Sequence, residues 1–291
     1  MFFVVLIVGA LGSSIFFVPL YKYSSPKLLI KIGVVINLIV YSFLIFTIIK
    51  AGGSSLIKKI ITRERLQVEA KTKETTNEPN ILVRIKDKVL LDAPIIKQYP
   101  ELPRGCEVTS LAMLLQYSGI EADKMELASK IKKNKTPLIK KNGRIYWGNP
   151  NDGFIGDMYS YSNPGFGVYH KPIKKLAENY LPGQIVDLTG KDFDYLKVYL
   201  SQDVPIWIII NTTYKKLPES AFELWQTPDG ELKLTYKEHS VLITGYDNNY
   251  IFFNDPISGM KNRKVLKKDF IEAWQQMGGQ AITYLPNKNN Q

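Results

Sequence analysis

HSVLITGYDNNYIFFNDP, residues 239–256, contains two apolar runs rich in β-branched and aromatic residues, separated by the turn-forming triplet Asp-Asn-Asn. This pattern predicts two antiparallel strands, 240–246 and 250–255, joined by a tight turn. His239 opens the first strand and Asp255 ends the second. Because neighbouring antiparallel strands run in opposite directions, we expect these two side chains to meet at one edge of a sheet.

The sequence around this hairpin predicts an α+β domain, because most helical patterns precede a strand-rich region. Thr189 is the expected N-cap of one of these helices. Residues 134–169 are rich in Gly, Asn, Tyr and Pro and predict a long loop with little regular structure. The first expected helix begins near Cys106, and the other helices are expected near 122–133, 172–180, 190–202 and 267–277. The further strands are expected near 81–91, 205–211 and 281–285, with a hairpin near 222–236.

Cys106 is the only cysteine of the chain and lies in LPRGCEVTSLAML, residues 102–114. The apolar stripe that begins at Val108 predicts a helix whose first turn contains Cys106. Unpaired backbone N–H groups at a helix N-terminus favour a thiolate over a thiol, which suits a nucleophile. The alternative is an unreactive core cysteine, because cysteine is among the residue types most often buried.

Three further residues are candidates to complete the site of a cysteine nucleophile. His239 follows Cys106 by 133 residues, an order and spacing that fit a papain-type nucleophile and base. Asp255 is the candidate that orients the imidazole, and Gln98, on the loop before Cys106, is the candidate donor to an oxyanion. His170 is the rival base, although the sequence offers it no carboxylate at a comparable place.

The aromatic residues of the 134–169 loop are candidates for the lining of a substrate cleft. A surface loop that packs on itself is the alternative. The candidate residues are Trp147, Tyr159, Tyr161 and Phe166.

Composition restricts the other classes of function. The 291 residues carry 38 Lys and Arg against 27 Asp and Glu, a formal net charge of +11, but the basic residues are spread along the chain. We therefore expect no nucleic-acid partner, and an anionic surface such as lipid headgroups or a cell-wall polymer explains the charge. One cysteine excludes an intrachain disulfide, and one cysteine with two distant histidines gives no zinc-like spacing, so neither a metal nor a cofactor is expected.

The first fifty residues differ from the rest of the chain. Residues 2–20 carry no charge and residues 28–49 are almost entirely apolar, and each stretch is long enough to cross a hydrocarbon core. They predict two transmembrane helices, with a cleaved signal peptide at 1–20 or a pair of buried core helices as alternatives. The flanking charges leave the topology open. The expected organisation is a membrane anchor over 1–50, a juxtamembrane linker over 51–80 and one domain over 81–291.

Four stretches of the chain together resemble a known family. They are LPRGCEVTSLAMLL, GFIGDMYS, NPGFGVY and HSVLITGYDNNYIFFNDP. They are similar to the papain-like cysteine peptidases related to the double-glycine leader peptidase domain of bacteriocin exporters, and more closely to the stand-alone bacterial C-39-like peptidases. The resemblance covers about residues 89–285 and leaves the membrane segment unexplained.

The resemblance implies a papain-like cysteine protease fold, a helical half plus an antiparallel sheet. It implies Cys106 as nucleophile, His239 as base, Asp255 as orienting residue and Gln98 as oxyanion donor. It also implies that the domain works outside the cytoplasm. Because no Gly-x-x-x-x-Gly-Lys-Ser/Thr phosphate loop occurs in the chain, the leader-processing role of the exporters does not follow.

These observations lead to the hypothesis of a membrane-anchored cysteine peptidase or amide hydrolase with a covalent thioester intermediate and a peptide or protein substrate. The protein is expected in the cell membrane, with its catalytic domain outside. Transfer of the acyl group to an amine would make it an acyltransferase or transpeptidase instead. The remaining alternative is a non-catalytic, membrane-tethered module that keeps the fold and binds peptide or wall polymer.

Overall fold

The computed structural model describes residues 40–42 and 84–285. The chain divides between residues 81 and 82 into two compact units. None of the helices within 40–42 and 84–285 combines the length and apolar character that crossing a membrane requires. The predicted transmembrane helix at 2–20 and the linker at 51–80 lie outside the described residues, as does the predicted helix at 28–49 apart from residues 40–42, which are helical.

Five α-helices and thirteen strands make up residues 84–285. The helices are α1 (Cys106–Tyr117), α2 (Lys124–Lys130), α3 (His170–Glu178), α4 (Phe193–Leu200) and α5 (Lys267–Gln276). The strands are β1 (Val89–Leu90), β2 (Lys133–Asn134), β3 (Ile139–Lys141), β4 (Arg144–Tyr146), β5 (Phe154–Ile155), β6 (Ile185–Asp187), β7 (Ile206–Asn211), β8 (Glu223–Thr227), β9 (Gly230–Leu234), β10 (Glu238–Tyr246), β11 (Tyr250–Asp255), β12 (Met260–Leu266) and β13 (Ala281–Tyr284).

A seven-stranded antiparallel sheet forms the centre of the domain and confirms the predicted α+β class. Its strand order is β12-β11-β10-β7-β13-β6, and β1 pairs with the end of β10. β7, with the sequence IWIIIN, is buried along its whole length. A strand that is apolar at every position needs cover on both faces, so helices are required on each side of this sheet.

Alternate residues of β7 point into two separate cores. Trp207 and Ile209 belong to the core that contains α1 and α3, whereas Ile206, Ile208 and Ile210 belong to the core that contains α4 and α5. The helices therefore cover both faces of the sheet. This arrangement differs from the expected division into a helical half and a sheet, because the order of elements in a sequence does not say which face of a sheet each helix covers.

The hairpin expected at 239–256 is present as β10 and β11, whose register pairs Leu242 with Asn254. The pairing shifts between Ile243 and Gly245, where β10 carries a bulge. A Cβ atom at Gly245 would overlap the backbone carbonyl oxygen of Val89. Glycine at this position therefore lets β1 approach the bulged strand closely.

Two other sequence predictions need correction. The 134–169 segment contains the β3–β4 hairpin and β5, and is more regular than the predicted loop. β3 and β4 join the expected 222–236 hairpin in a second sheet of order β3-β4-β8-β9. The helix expected at 190–202 begins at Phe193, and its N-cap is Asp192, whose carboxylate accepts the Tyr195 N–H at 2.7 Å. Thr189 instead accepts a hydrogen bond from the Ala281 N–H on β13.

Candidate active site

His239 and Asp255 lie side by side at the edge of the sheet formed by the start of β10 and the end of β11. His239 Nε2 is 3.0 Å from Asp255 Oδ1, and both side chains are buried. An imidazole that donates from Nε2 to a carboxylate leaves Nδ1 unprotonated and able to accept a proton. Nδ1 of His239 is buried and has no hydrogen-bond partner within the described residues.

The Asp255 carboxylate is held in place by several donors besides His239. Burial alone would raise the pKa of this carboxyl group, but hydrogen bonds from His239, Ser258 and Tyr214 hold the pKa well below its usual range. Asp255 is therefore ionised at neutral pH and can orient the imidazole. Its remaining donors are Tyr214 Oη at 3.0 Å, Ser258 Oγ at 2.7 Å, Arg263 NH1 at 2.9 Å and the Ile257 N–H at 3.0 Å.

Cys106 is the first residue of α1, as the sequence predicts. The preceding residue, Gly105, lies against Leu102, whose Cβ would be 2.5 Å from a Cβ added at Gly105. α1 packs on β10, where Ser110 Oγ donates to the Ser240 carbonyl at 3.1 Å. The thiol also lies within 4.8 Å of a carboxyl oxygen of Glu238, the residue before His239. This contact brings the thiol to the part of β10 that carries the histidine.

The thiol does not have the lowered pKa that its position at a helix N-terminus predicts. Burial raises the pKa of Cys106 well above its usual value, and the carboxyl groups of Glu107 and Glu238 raise it further. The hydrogen bond from the Ser240 N–H acts in the opposite direction and is the weaker influence. Burial of the sulfur and the two acidic side chains around it outweigh the effect of the helix terminus, and the sequence alone did not reveal them.

Glu107, the residue after the cysteine, turns its side chain back toward the thiol. Its Oε2 accepts the Cys106 S–H at 3.3 Å and its Oε1 accepts the Val168 N–H at 2.7 Å. Its backbone carbonyl accepts the indole N–H of Trp207 at 2.9 Å, which ties the first turn of α1 to β7. Burial raises the pKa of Glu107 to about 7. A glutamate directly after the cysteine, in a first turn that the apolar stripe of α1 predicts to be buried, was the signal that the sequence analysis missed.

Glu238 lies directly before His239 and contributes a second carboxyl group to the same space. One ligand atom each from Cys106, Glu107 and Glu238 lies within 4.8 Å of the others, the closest grouping of metal-ligating side chains found among the described residues. Both the thiol and Glu107 already use their polar atoms in hydrogen bonds to protein groups. The expectation that the chain holds neither a metal nor a cofactor stays a prediction.

Gln98 lies on the loop that leads into α1, and it is buried. Its Nε2 donates to the Pro103 carbonyl at 2.8 Å, and its backbone N–H donates to the carbonyl of Pro256, which follows Asp255. The residue thus connects the loop before the cysteine to the end of β11. Its Oε1 is buried and has no partner in the described part of the chain.

His170, the rival base, lies at the start of α3 and has a different set of partners. Its Nδ1 is 3.0 Å from Gln280 Oε1 and its Nε2 is 3.6 Å from the carboxylate of Asp187 on β6. The expectation that no carboxylate lies near His170 is therefore wrong, because β6 brings Asp187 beside it. β6 is three strands away from β10 in the sheet, so His170 is separated from the part of β10 that faces Cys106.

The aromatic candidates of the 134–169 segment separate into two groups. Trp147 and Phe166 are buried and pack on Trp225, with ring centroids 5.1 and 5.0 Å away, so they belong to the core. Tyr159 and Tyr161 are exposed. Tyr161 donates a hydrogen bond at 2.9 Å to the carbonyl of Pro103, three residues before the cysteine, and is therefore placed beside the candidate site.

Known proteins share this arrangement of elements. A model of the Peptidase_C39 like family matches residues 90–282, which include Gln98, Cys106, His239 and Asp255. The chain belongs to this family. The uncharacterized protein YvpB of Bacillus subtilis (strain 168) is 45% identical over 183 residues, a match that covers 63% of this chain and 70% of YvpB. A crystal structure of a Bacillus anthracis protein classed as a C39-like peptidase is 46% identical with a TM-score of 0.63, and the match covers 69% of this chain and 99% of that one.

Family and fold together establish an α+β C39-like peptidase fold for the domain. Within it, the described residues offer a buried thiol at a helix start, an imidazole with one free nitrogen, and a carboxylate that bonds the other nitrogen. These are the side-chain types that nucleophilic attack on a carbonyl carbon requires.

Proposed function

We propose that this chain is a membrane-anchored cysteine peptidase or amide hydrolase in which Cys106 is the nucleophile, His239 the base and Asp255 the orienting residue. The observation that carries the proposal is the buried hydrogen bond between His239 Nε2 and Asp255 Oδ1, at 3.0 Å. It leaves Nδ1 of His239 free, and the preceding residue, Glu238, has a carboxyl oxygen within 4.8 Å of the thiol. The peptidase-type fold of the family supports the same activity.

The proposed reaction begins when His239 Nδ1 takes the proton of the Cys106 thiol as the sulfur bonds to the substrate carbonyl carbon. The tetrahedral intermediate collapses, the C–N bond breaks, and the imidazolium returns the proton to the leaving amine. A thioester between Cys106 and the acyl group remains. Water, deprotonated by the same imidazole, then hydrolyses the thioester and releases a carboxylic acid and the thiol.

Two donors are proposed to stabilise the oxyanion of the tetrahedral intermediate. One is the backbone N–H of Cys106, which at the first position of α1 has no partner within the helix. The other is the side-chain amide of Gln98, one N–H of which is used by the Pro103 carbonyl while the second is free to donate. The loop contact between Gln98 and Pro256 supports this assignment, because it keeps the amide near the histidine–aspartate end of the hairpin.

Mass spectrometry of newly formed protein termini at the cell surface tests the activity. Cells that carry the wild-type protein should produce a set of new N-termini that is lost with Cys106→Ala and with His239→Ala. His170→Gln is the matched control, since it removes the other histidine of the chain, and it should retain the set. Identical termini in wild-type and Cys106→Ala cells would refute the peptidase.

The same experiment separates the two alternative functions. New amide links between surface molecules, in place of new N-termini, would assign an acyltransferase or transpeptidase that passes the same thioester to an amine. A surface proteome that does not change with any variant, together with peptide or wall polymer retained on the wild-type protein, would assign a non-catalytic binding module.

We further propose that the anchor over residues 1–50 holds the protein in the cell membrane with its catalytic domain outside. Support comes from the uncharged stretch 2–20, the apolar stretch 28–49 and the net charge of +11, which suits an anionic surface. Deletion of residues 1–50 should move the protein from the membrane fraction to the soluble fraction. Protease added to intact cells should degrade the domain of the full-length protein, and protection from it would overturn the external placement.

A further inference from the structure

Two carboxyl groups lie beside the Cys106 thiol and have no part in the proposed reaction. They belong to Glu107 on α1 and Glu238 on β10, and are called the acid pair below. One oxygen of each carboxyl and the sulfur lie within 4.8 Å of one another. A chain that needs only a nucleophile and a base has no use for two acids in this position, so their role requires an explanation of its own.

Glu107 is fixed in its position by contacts at both carboxyl oxygens. Oε1 accepts the Val168 N–H at 2.7 Å, and Oε2 accepts the Cys106 S–H at 3.3 Å. The second contact uses the thiol as a donor, which requires the sulfur to keep its proton. Glu107 therefore binds the thiol form of the nucleophile, and it would repel the thiolate.

Glu238 meets Glu107 across Gly167, the residue before Val168. A Cβ atom at Gly167 would overlap Oε1 of Glu107 and would lie 2.8 Å from Oε2 of Glu238. Both carboxyl groups thus reach the same backbone position, and only a residue without a side chain leaves room for them. Oε1 of Glu238 is buried without a hydrogen-bond partner in the described residues, and no ion pair to either glutamate occurs among them.

Two carboxylates in a shared buried space cannot both be ionised without a cation, and a shared proton is the usual solution. We propose that Glu107 and Glu238 share one proton and act as positioning residues that hold Cys106 as a thiol in the substrate-free site. The nucleophile then stays protonated and unreactive until substrate binding brings the thiol to His239 Nδ1. The inference rests on the proposed role of Cys106 as nucleophile.

The charges around the acid pair agree with one retained proton. Burial raises the pKa of Glu107 to about 7, and burial together with the charge of Glu107 raises the pKa of Glu238. Lys133 is the smallest of the influences that lower the pKa of Glu107, and burial lowers the pKa of that lysine. The other titratable groups that interact with the charge of the sulfur or of the acid pair are Tyr161, Tyr169 and Tyr214, and His239 adjoins Glu238 on β10.

A shared proton makes the two glutamates respond differently to substitution. In Glu107→Gln the amide oxygen can still accept the Val168 N–H, while the NH₂ group replaces Oε2 and becomes a donor to the sulfur. The contact then favours the thiolate. In Glu238→Gln the Glu107 carboxyl loses the neighbour that opposes its ionisation, so it is ionised in a larger share of the molecules at neutral pH and holds the thiol at least as firmly as before.

Alkylation of the full-length protein in detergent measures these effects, because Cys106 is the only cysteine. The rate of reaction with iodoacetamide is followed from pH 6 to pH 10 in the presence of EDTA. The variants are Glu107→Gln, Glu238→Gln, the double variant, and the control Glu272→Gln, which removes an exposed carboxyl group of α5. Thermal melting of each variant checks that the fold is retained.

We expect Glu107→Gln to raise the rate at pH 7 about fivefold, the effect of one net hydrogen bond that the new NH₂ group donates to the thiolate. Glu238→Gln alone should leave the rate unchanged or lower it, and the double variant should react fastest of all. Glu272→Gln should match the wild type. The rate profile of Glu107→Gln should move to lower pH while its melting temperature stays near that of the wild type, because unfolding would also expose the thiol and lower its pKa.

Three results would overturn the inference. An unchanged or slower rate in a folded Glu107→Gln protein would show that Glu107 does not hold the thiol. A rate for Glu238→Gln that rises as much as for Glu107→Gln would show two independent charges instead of a shared proton. Differences in alkylation rate between the variants that appear only when EDTA is left out would show that the acid pair binds a cation. If Glu107→Gln does not fold, infrared spectroscopy decides: the wild type at pH 7 must show a protonated-carboxyl band that is weaker in Glu238→Gln.

The alkylation needs no substrate, so its outcome is separate from that of the proposed function. Loss of surface cleavage with Cys106→Ala tests the nucleophile, whereas the ratio of alkylation rates tests the acid pair. A protein without peptidase activity could still show the predicted order of rates, and an active peptidase could fail to show it.

Discussion

Replacing Asp255 by asparagine should destabilise the domain and also reverse the orientation of the imidazole proton. Oδ2 of Asp255 accepts hydrogen bonds from three side chains, including Arg263 at 2.9 Å, whereas Oδ1 accepts from His239 and one backbone N–H. The carbonyl oxygen of an asparagine should therefore take the place of Oδ2. Its NH₂ group then faces His239 Nε2, which must accept a hydrogen bond, and the ring proton moves to Nδ1.

The cost in stability can be worked out from these contacts. Two hydrogen bonds to the charged carboxylate, from His239 and Arg263, each contribute about 1.5–3 kcal/mol, and the neutral amide retains only part of them. The backbone N–H of Ile257 loses its acceptor. We expect the free energy of unfolding at pH 7 to fall by about 3 kcal/mol, within the range for breaking a buried ion pair from one side.

The pH dependence of the unfolding free energy gives a second, independent prediction for the same variant. Because the pKa of Asp255 is lowered in the folded state, its stabilisation is complete above the unfolded pKa and is lost as the pH falls toward the folded one. At pH 3 the unfolded carboxyl group, with a pKa of about 3.9, is mostly protonated while the folded one is still ionised. The difference between wild type and Asp255→Asn should therefore shrink by about 1.3 kcal/mol between pH 6 and pH 3.

Urea unfolding followed by circular dichroism at pH 6, 4 and 3 measures both numbers. Asp194→Asn serves as the control, because this carboxylate is exposed on α4 and pairs only with Lys197, and it should show no measurable change. Asp255→Asn should also abolish the surface cleavage ascribed to the wild type. The reasoning is wrong if the variant is as stable as the wild type at pH 6, or if its deficit is the same at pH 3 as at pH 6.

Three further substitutions test the packing around the site, each by urea unfolding. Gly167→Ala forces a methyl group into the acid pair and should cost about 1–3 kcal/mol, and an unchanged stability would show that the two carboxyl groups are not packed against that backbone. Gly245→Ala should cost about 3 kcal/mol, because its Cβ would overlap the backbone of Val89 on β1, and amide exchange in β1 should rise as the strand detaches. Asp192→Ala removes the N-cap of α4 and should lower the free energy of unfolding by about 1 kcal/mol. Asp192→Asn keeps a hydrogen-bond acceptor and should lower it by only a few tenths of a kcal/mol. Equal losses in the two variants would show that the Asp192 side chain is not the cap.

The parts of the fold that the sequence predicted are those in which a local pattern decides the structure. β10 and β11 follow from two apolar runs around a turn triplet, and α1 follows from the stripe after Cys106. The strand order could not be predicted in this way, because the pairing of β7 with both β10 and β13 depends on contacts far apart in the chain. The β3–β4 hairpin was predictable in principle. Its turn, Asn142-Gly143, has both residues in the left-handed region and is a strong hairpin signal within a segment that composition had marked as a loop.

In the candidate site, too, contacts between residues close in the sequence were predictable and contacts between distant residues were not. The edge shared by His239 and Asp255 follows from two strands that are adjacent in sequence, and it could be deduced from a hairpin alone. The acid pair could not, since it needs α1 to pack on β10 across more than a hundred residues. The predicted direction of the Cys106 pKa is wrong because helix position is a local property, whereas the burial of the sulfur and the approach of Glu238 depend on packing against a distant strand.

Glu238, His239 and Ser240 are consecutive residues of β10, which is bonded to β7 along its first half and to β11 and β1 along its second. Opening residues 238–240 to solvent therefore requires β10 to separate from β7, near the centre of the sheet. The candidate site residues on β10 open together with the sheet. Partial unfolding of a surface segment leaves them in place, so denaturant should remove function and native structure in a single cooperative step.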